Sequence, residues 1–111
     1  MKQIIDNSGK ILAIVLKSEI DFEEGKNFFT NDEMEMQLAT FNLPKDTVID
    51  KHVHITQERT TQNTSEAIIV IDGMIQVDIY DESRLLICSE ILAYGDVIAL
   101  FSGGHGIKII E

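Results

Sequence analysis

The sequence predicts an all-β fold, a small sandwich or barrel of eight to nine short strands in one domain. Three observations predict it. Apolar residues alternate with period two instead of 3.6, turn-forming residues separate the apolar runs at regular spacing, and evidence for helices is weak. A chain of 111 residues suffices for one hydrophobic core. An immunoglobulin-like sandwich is disfavoured because the chain has no tryptophan.

The first half of the chain contains two apolar patterns that predict strands. Residues 10–16, "KILAIVL", form a short Ile- and Val-rich run that suits a strand covered on both faces. In residues 34–43, "MEMQLATFNL", the apolar residues alternate with polar ones, which is typical of a half-buried strand. Residues 19–29, "EIDFEEGKNFF", are expected to form a loop.

The second half contains four further strand patterns. Residues 74–82 alternate, as do residues 106–111, whereas 67–71 and 96–101 are continuous apolar runs. Asp72-Gly73 is expected to form a tight hairpin turn between two of these strands. Cys88 lies in the apolar run "RLLICSEIL" and is expected to be a buried, unreactive thiol.

The amino-acid composition limits which partners the protein can have and where in the cell we expect it. Hydrophobic residues make up 44% and charged residues 25%, which is typical of a globular chain and not of a disordered one. The net charge of -10 disfavours nucleic acid and anionic membranes as partners. The single cysteine excludes an internal disulfide, and the N-terminus lacks the apolar core of a secretory signal. We therefore expect a cytoplasmic protein.

The three histidines of the chain are the main candidates for a functional site. His52 and His54 fall in a predicted strand over residues 47–56, where period two places both on one face, roughly 7 Å apart. Two imidazoles at that spacing can chelate one metal ion. His105 follows Gly103-Gly104, a pair that permits a tight bend or close backbone approach. In a rolled sheet the last strand can lie beside a central one, so His105 is expected to meet the other two.

A carboxylate is expected to join the three histidines in this site. Glu66 precedes five apolar residues, which is unusual unless it caps the strand or points into a site. If residues 51–56 and 66–72 form a hairpin, its midpoint falls near Thr60 and Glu66 lies opposite His54.

This pattern resembles the cupin superfamily, small jelly-roll barrels that often hold a metal inside. The first cupin motif is matched by His52-Val53-His54 and by Glu66, which is separated from Gly73 by six residues. The second motif runs from a Gly to a late His, here from Gly95 to His105. The resemblance covers residues 47–110, and residues 1–46 would supply N-terminal strands and a loop of the same domain, 1–111.

The sequence departs from the cupin pattern in the spacing of the first motif. The family places its Glu three or four residues after the His-x-His pair, whereas eleven residues separate His54 from Glu66. Glu58 has the family's spacing but lacks the Gly seven positions on, so Glu66 is preferred as the ligand and Glu58 is the alternative. The Gly expected before the pair is Asp46, and the expected second-motif Pro is absent.

The resemblance implies a divalent transition metal (Fe, Mn, Ni, Co or Zn) held by His52, His54, Glu66 and His105. It implies a metal-dependent enzyme of the dioxygenase, isomerase, epimerase or lyase type that acts on a small polar molecule. Two alternatives stay open. One is a sensing module that binds metal or ligand without catalysis, and the other is a metal-free isomerase or epimerase for sugar nucleotides.

Two further expectations concern the rim of the site and the assembly. Arg59 is a candidate anion clamp, because guanidinium binds carboxylate or phosphate with two hydrogen bonds, and Gln57 and Glu58 could line the same pocket. A homodimer is expected, because the sheets of small jelly rolls often pair through exposed edge strands.

Overall fold

The computed structural model describes residues 1–20 and 22–111, and this part of the chain contains nine β-strands and no helix. It therefore has no helix that could cross a membrane. The all-β prediction is confirmed. The strands are β1 (Lys2–Ile5), β2 (Ile11–Leu16), β3 (Gly25–Phe28), β4 (Ala39–Asn42), β5 (Glu66–Ile69), β6 (Met74–Tyr80), β7 (Leu86–Ala93), β8 (Val97–Leu100) and β9 (Gly104–Ile109).

The strands form three antiparallel sheets. A four-stranded sheet has the order β1-β2-β8-β5, a three-stranded sheet has the order β7-β6-β9, and β3 pairs with β4. The two larger sheets share one core, in which Leu12 and Ile98 pack with Val77, Ile79 and Leu92. All five side chains are fully buried, and burying each stabilises the fold by roughly 1.5–3 kcal/mol.

The sheets do not close into a barrel, so the barrel part of the prediction is wrong for the described residues. β5 ends the first sheet and β9 ends the second, and each has one neighbour only. The reason is that no strand in the described chain bridges these two ends. The molecule is therefore open on the side where β5 and β9 lie.

Most strand predictions are confirmed, and two in the first half need correction. β2 and β8 are buried apolar strands, and β6 alternates as expected. Residues 19–29 were expected to form a loop, but β3 lies within them because it has β4 as a partner. The expected strand over 34–43 is confined to β4, since Met34 and Met36 lie in a turn that packs on a second small core.

The Asp72-Gly73 turn connects two sheets and does not form the predicted hairpin. β5 pairs with β8, and β6 pairs with β7 and β9, so the strands on either side of the turn are not partners. Gly73 has a φ of 78°, and a Cβ built on it would lie 2.0 Å from the carbonyl oxygen of Glu111. The turn therefore needs glycine, as predicted. The glycine serves a connection from one sheet to the other and not a hairpin.

The strand predicted over residues 47–56 is absent. Residues 43–65 form no strand, and the side chains from Pro44 to Thr64 are all exposed. The predicted hairpin partner, β5, pairs with β8, and Glu66 lies opposite Leu100 instead of His54. A strand needs a neighbouring strand to stabilise it, and residues 47–56 pair with none of the described strands, which is why this prediction failed.

Replacing Gly103 with alanine is expected to lower the free energy of unfolding by about 2 kcal/mol or more. Gly103 has a φ of 74°, and a Cβ there would meet the Tyr80 carbonyl oxygen at 2.2 Å. Gly9→Ala is the matched control, because Gly9 has a φ of 87° with nothing within 4 Å. It should cost only about 1–2 kcal/mol of left-handed strain. Urea denaturation compares the two, and equal losses would mean that the contact with Tyr80 is unimportant.

Candidate functional site

The open side of the molecule brings Glu66 and His105 together. Glu66 is the first residue of β5, and His105 is the second residue of β9, so one side chain comes from each large sheet. The Nε2 atom of His105 lies 3.4 Å from Oε2 of Glu66. The side chains are 30% and 50% exposed, respectively. A ligand in solution can therefore reach both the imidazole and the carboxylate.

His52 and His54 form a second pair on the exposed segment 43–65. Their ring centroids are 5.3 Å apart, with the ring planes inclined at 41°. The Nδ1 atom of His52 lies 3.0 Å from the carbonyl oxygen of Asp50. The two rings are thus neighbours, although the strand that was expected to align them is absent.

The structure thus arranges the four predicted ligands as two pairs. Within residues 1–20 and 22–111, no group of three or more His, Cys, Asp or Glu side chains is close enough to hold one metal ion. The donor chemistry still fits a transition metal, since neutral imidazoles and a carboxylate are ligands for Mn, Fe, Co, Ni and Zn. Joining the pairs requires segment 43–65 to move.

The candidate pocket residues lie near His54. Gln57 and Arg59 line an open cleft of ≈ 590 Å³ together with His54, Ile55 and Thr56. The Nη2 atom of Arg59 donates a hydrogen bond of 3.4 Å to the carbonyl oxygen of Met34. Glu58 is exposed and does not line this cleft. Arg59 and His54 therefore line the same cleft.

Glu35 holds the C-terminal end of the exposed segment, a role that no sequence pattern indicated. Its carboxylate accepts hydrogen bonds from the backbone N–H groups of Gln62 (3.0 Å) and Asn63 (3.2 Å), and from the Ser65 hydroxyl (3.4 Å). The bonds from Asn63 and Gln62 are the main reason that the pKa of Glu35 lies below its ordinary value. In the sequence Glu35 is only one polar residue of an alternating run.

Removing this anchor is expected to loosen segment 43–65. In Glu35→Ala, trypsin should cut at Lys51 and Arg59 several-fold faster than in the wild type, because two backbone N–H groups lose their acceptor. Since the folded pKa is lowered, the anchor is intact above the ordinary value of 4.5 and is lost as the pH falls below it. Glu33→Ala is the control, and equal cleavage rates in both variants would rule out the anchor.

Cys88 is half-buried on β7. Burial, followed by the charge of Glu90, raises the pKa of its thiol. A raised pKa leaves less thiolate at neutral pH, which agrees with the expectation of an unreactive cysteine.

No protein-family model matches the chain, and neither a curated protein nor a solved structure matches it.

Proposed function

We propose that the chain is a small metal-binding protein of the cupin kind, with a jelly-roll-related sandwich that holds one divalent transition metal. The ligands would be His105 and Glu66, joined by His52 and His54. The observation that carries the proposal is the 3.4 Å contact between His105 and Glu66. It places an imidazole and a carboxylate together on the open side of the sandwich, where a third and fourth ligand have access.

The second pair would reach the first through movement of segment 43–65. This segment has no strand partner, and its C-terminal end is held near β5 by Glu35. Its two imidazoles are already neighbours, so they can approach as a unit. Metal binding can drive the local folding of the residues that hold the ion. The ion itself would therefore stabilise segment 43–65 in the position where its histidines meet His105 and Glu66.

The bound ion would supply a Lewis acid that polarises a carbonyl or activates water. The side chains around the ion would orient the bound molecule. Arg59, which lines the cleft beside His54, would bind the anionic end of a small polar molecule with two hydrogen bonds. A metal-dependent enzyme is favoured over a sensing module because this guanidinium lines the same cleft as His54, one of the proposed ligands, where it could bind a substrate.

A metal-free acid–base site is the competing function, and the same contact favours it. An imidazole beside a carboxylate can transfer protons without any ion. In that case His105 and Glu66 would act alone, and segment 43–65 would remain exposed when ligands bind. The two functions predict different results for metal retention. The metal site retains an ion only when His54 is present, whereas the metal-free site retains none.

The test is metal content by elemental mass spectrometry on untagged protein after reconstitution with Fe(II), Mn(II), Ni(II), Co(II) or Zn(II). The proposal expects about one ion per wild-type chain and loss of the ion in His54→Ala. Glu58→Gln is the control for surface carboxylates and should retain the ion. Wild-type protein that retains no metal after reconstitution would contradict the proposal and leave the metal-free site.

A further inference from the structure

A second open cleft lies on the outer face of the four-stranded sheet. Its volume of ≈ 400 Å³ falls in the range of roughly 300–1,000 Å³ that is typical of small-molecule sites. We call it the outer cleft. It lies between the end of β8, the turn that connects β3 with β4, and the C-terminal end of segment 43–65. Its lining includes Glu33, Met34, Glu35, Ser65, Phe101 and Ser102.

The outer cleft is separate from the Glu66–His105 pair. Glu66 lies opposite Leu100, which belongs to the core between the two large sheets. Phe101, the next residue along the chain, packs instead in the second small core, on the other face of the sheet. None of the four proposed metal ligands belongs to the described lining of the outer cleft. A molecule can therefore bind here independently of the metal site.

The floor of the outer cleft is apolar. Phe101 is only 7% exposed, and it packs with Ile14 and Ala99 in the second small core. Ile11 and Met34, which are half-buried, line the cleft and pack against the same core. An apolar group that covers these side chains is removed from water, so the cleft favours a ligand with an apolar part.

Two hydroxyls and two carboxylates in the lining offer hydrogen-bond acceptors. The Ser65 hydroxyl donates to Glu35 at 3.4 Å, and the Ser102 hydroxyl donates to the Ile11 carbonyl at 3.0 Å. A hydroxyl has one donor and two acceptor lone pairs, so both oxygens can still accept. The ionised carboxylates of Glu33 and Glu35 can only accept. These four groups fit a ligand that donates several hydrogen bonds.

The charge of the lining favours a cation over an anion. Lys10 is the one cation in the described lining, and its Nζ atom is hydrogen-bonded to Glu82 at 2.5 Å, so its charge is largely compensated. Hydrogen bonds from Asn63 and Gln62 lower the pKa of Glu35, so this carboxylate is ionised at neutral pH. The net charge of -10 of the whole chain also attracts small cations.

We propose that the outer cleft binds a small primary ammonium ion that carries an apolar group, such as an alkylammonium. The ammonium group has three N–H donors, and it donates to the carboxylates of Glu33 and Glu35 in charge-assisted hydrogen bonds. The apolar group covers Met34 and Phe101. This site uses none of the proposed metal ligands, so it stands whether or not the chain binds a metal.

Titration of the ¹⁵N-labelled, metal-free chain with n-hexylamine at neutral pH, followed by NMR, tests the ligand class. Saturable shifts are expected for the amides that border the cleft, in residues 9–11, 31–35, 63–65 and 101–102. The neutral n-hexanol and the anionic n-hexanoate should bind at least about tenfold more weakly, because neither forms the charge-assisted bonds. n-Butylamine, which is two methylenes shorter, should also bind about tenfold more weakly.

Two neighbouring carboxylates provide a matched pair of variants. Glu33→Gln should raise the dissociation constant for n-hexylamine about fivefold, whereas Asp32→Asn, which removes the same charge outside the lining, should change it less than about twofold. Glu35 is left intact because it also anchors segment 43–65. Absence of saturable shifts at the cleft, n-hexanol or n-hexanoate that binds as tightly as n-hexylamine, or equal effects of the two substitutions would each overturn the proposal.

Discussion

Replacing His105 with alanine is expected to lower the affinity for Zn(II) or Co(II) by about 100-fold or more. Among the strands of the described chain, His105 is the only histidine, and it lies 3.4 Å from Glu66. Loss of a direct ligand should cost more than the 10- to 100-fold effect of altering its supporting contacts. Isothermal titration at neutral pH measures the change, and an unchanged affinity would exclude His105 as a ligand.

The carboxylate ligand is identified by a matched pair of substitutions. Glu66→Gln should weaken binding by at least about tenfold, because the amide oxygen is a poorer ligand than a carboxylate. Glu58→Gln should have no effect, since Glu58 lies on the exposed segment and Glu66 contacts His105. If Glu58→Gln weakened binding and Glu66→Gln did not, the carboxylate ligand would be Glu58, which is closer to His54 in the sequence.

Replacing Asp96 with alanine is expected to lower the free energy of unfolding by about 2–4 kcal/mol. Asp96 is only 6% exposed. Its carboxylate accepts hydrogen bonds from the backbone N–H groups of Ser18 and Ala93, both at 2.9 Å, and from Lys17 Nζ at 3.1 Å. Without it, two backbone N–H groups lose their acceptor beside the β7–β8 turn. Urea denaturation measures the loss, and the exposed control Glu58→Ala should stay within about 0.5 kcal/mol of the wild type.

The same carboxylate makes stability depend on pH. Burial acts to raise the pKa of Asp96, but its hydrogen bonds and Lys17 outweigh burial, so the pKa lies below the ordinary value of 3.8. A lowered folded pKa means that the stabilisation is complete above the ordinary value and is lost as the pH falls below it. Asp96→Asn should therefore show a flatter acid-side stability curve, and identical curves would contradict this role.

The strand content was predictable because local patterns determine it. β2 and β8 are short, continuous apolar runs that suit a strand covered on both faces, and β6 alternates because one of its faces is half-exposed. Pairing was not predictable from such patterns. β5 was expected to form a hairpin with residues 51–56, but it pairs with β8 within the four-stranded sheet, a choice that depends on long-range packing.

Part of the candidate site was predictable from the sequence, and the part that depended on long-range pairing was not. The grouping of Glu66 with His105 followed from the cupin resemblance, and the two residues do lie together. The placement of His52 and His54 opposite Glu66 depended on a strand that has no partner in the described chain. Glu35 was missed because its bonds go to backbone N–H groups about 27 residues away, which no local pattern indicates.

Hydrogen exchange of segment 43–65 with and without Zn(II) tests whether one ion brings the two pairs of proposed ligands together. We expect Zn(II) to protect the amides of residues 47–56 in the wild type and His105→Ala to abolish this protection. Protection that persists in His105→Ala would show that His52 and His54 bind the ion alone. Metal binding without any protection of the segment would show that it remains undocked, and either result would contradict the four-ligand site.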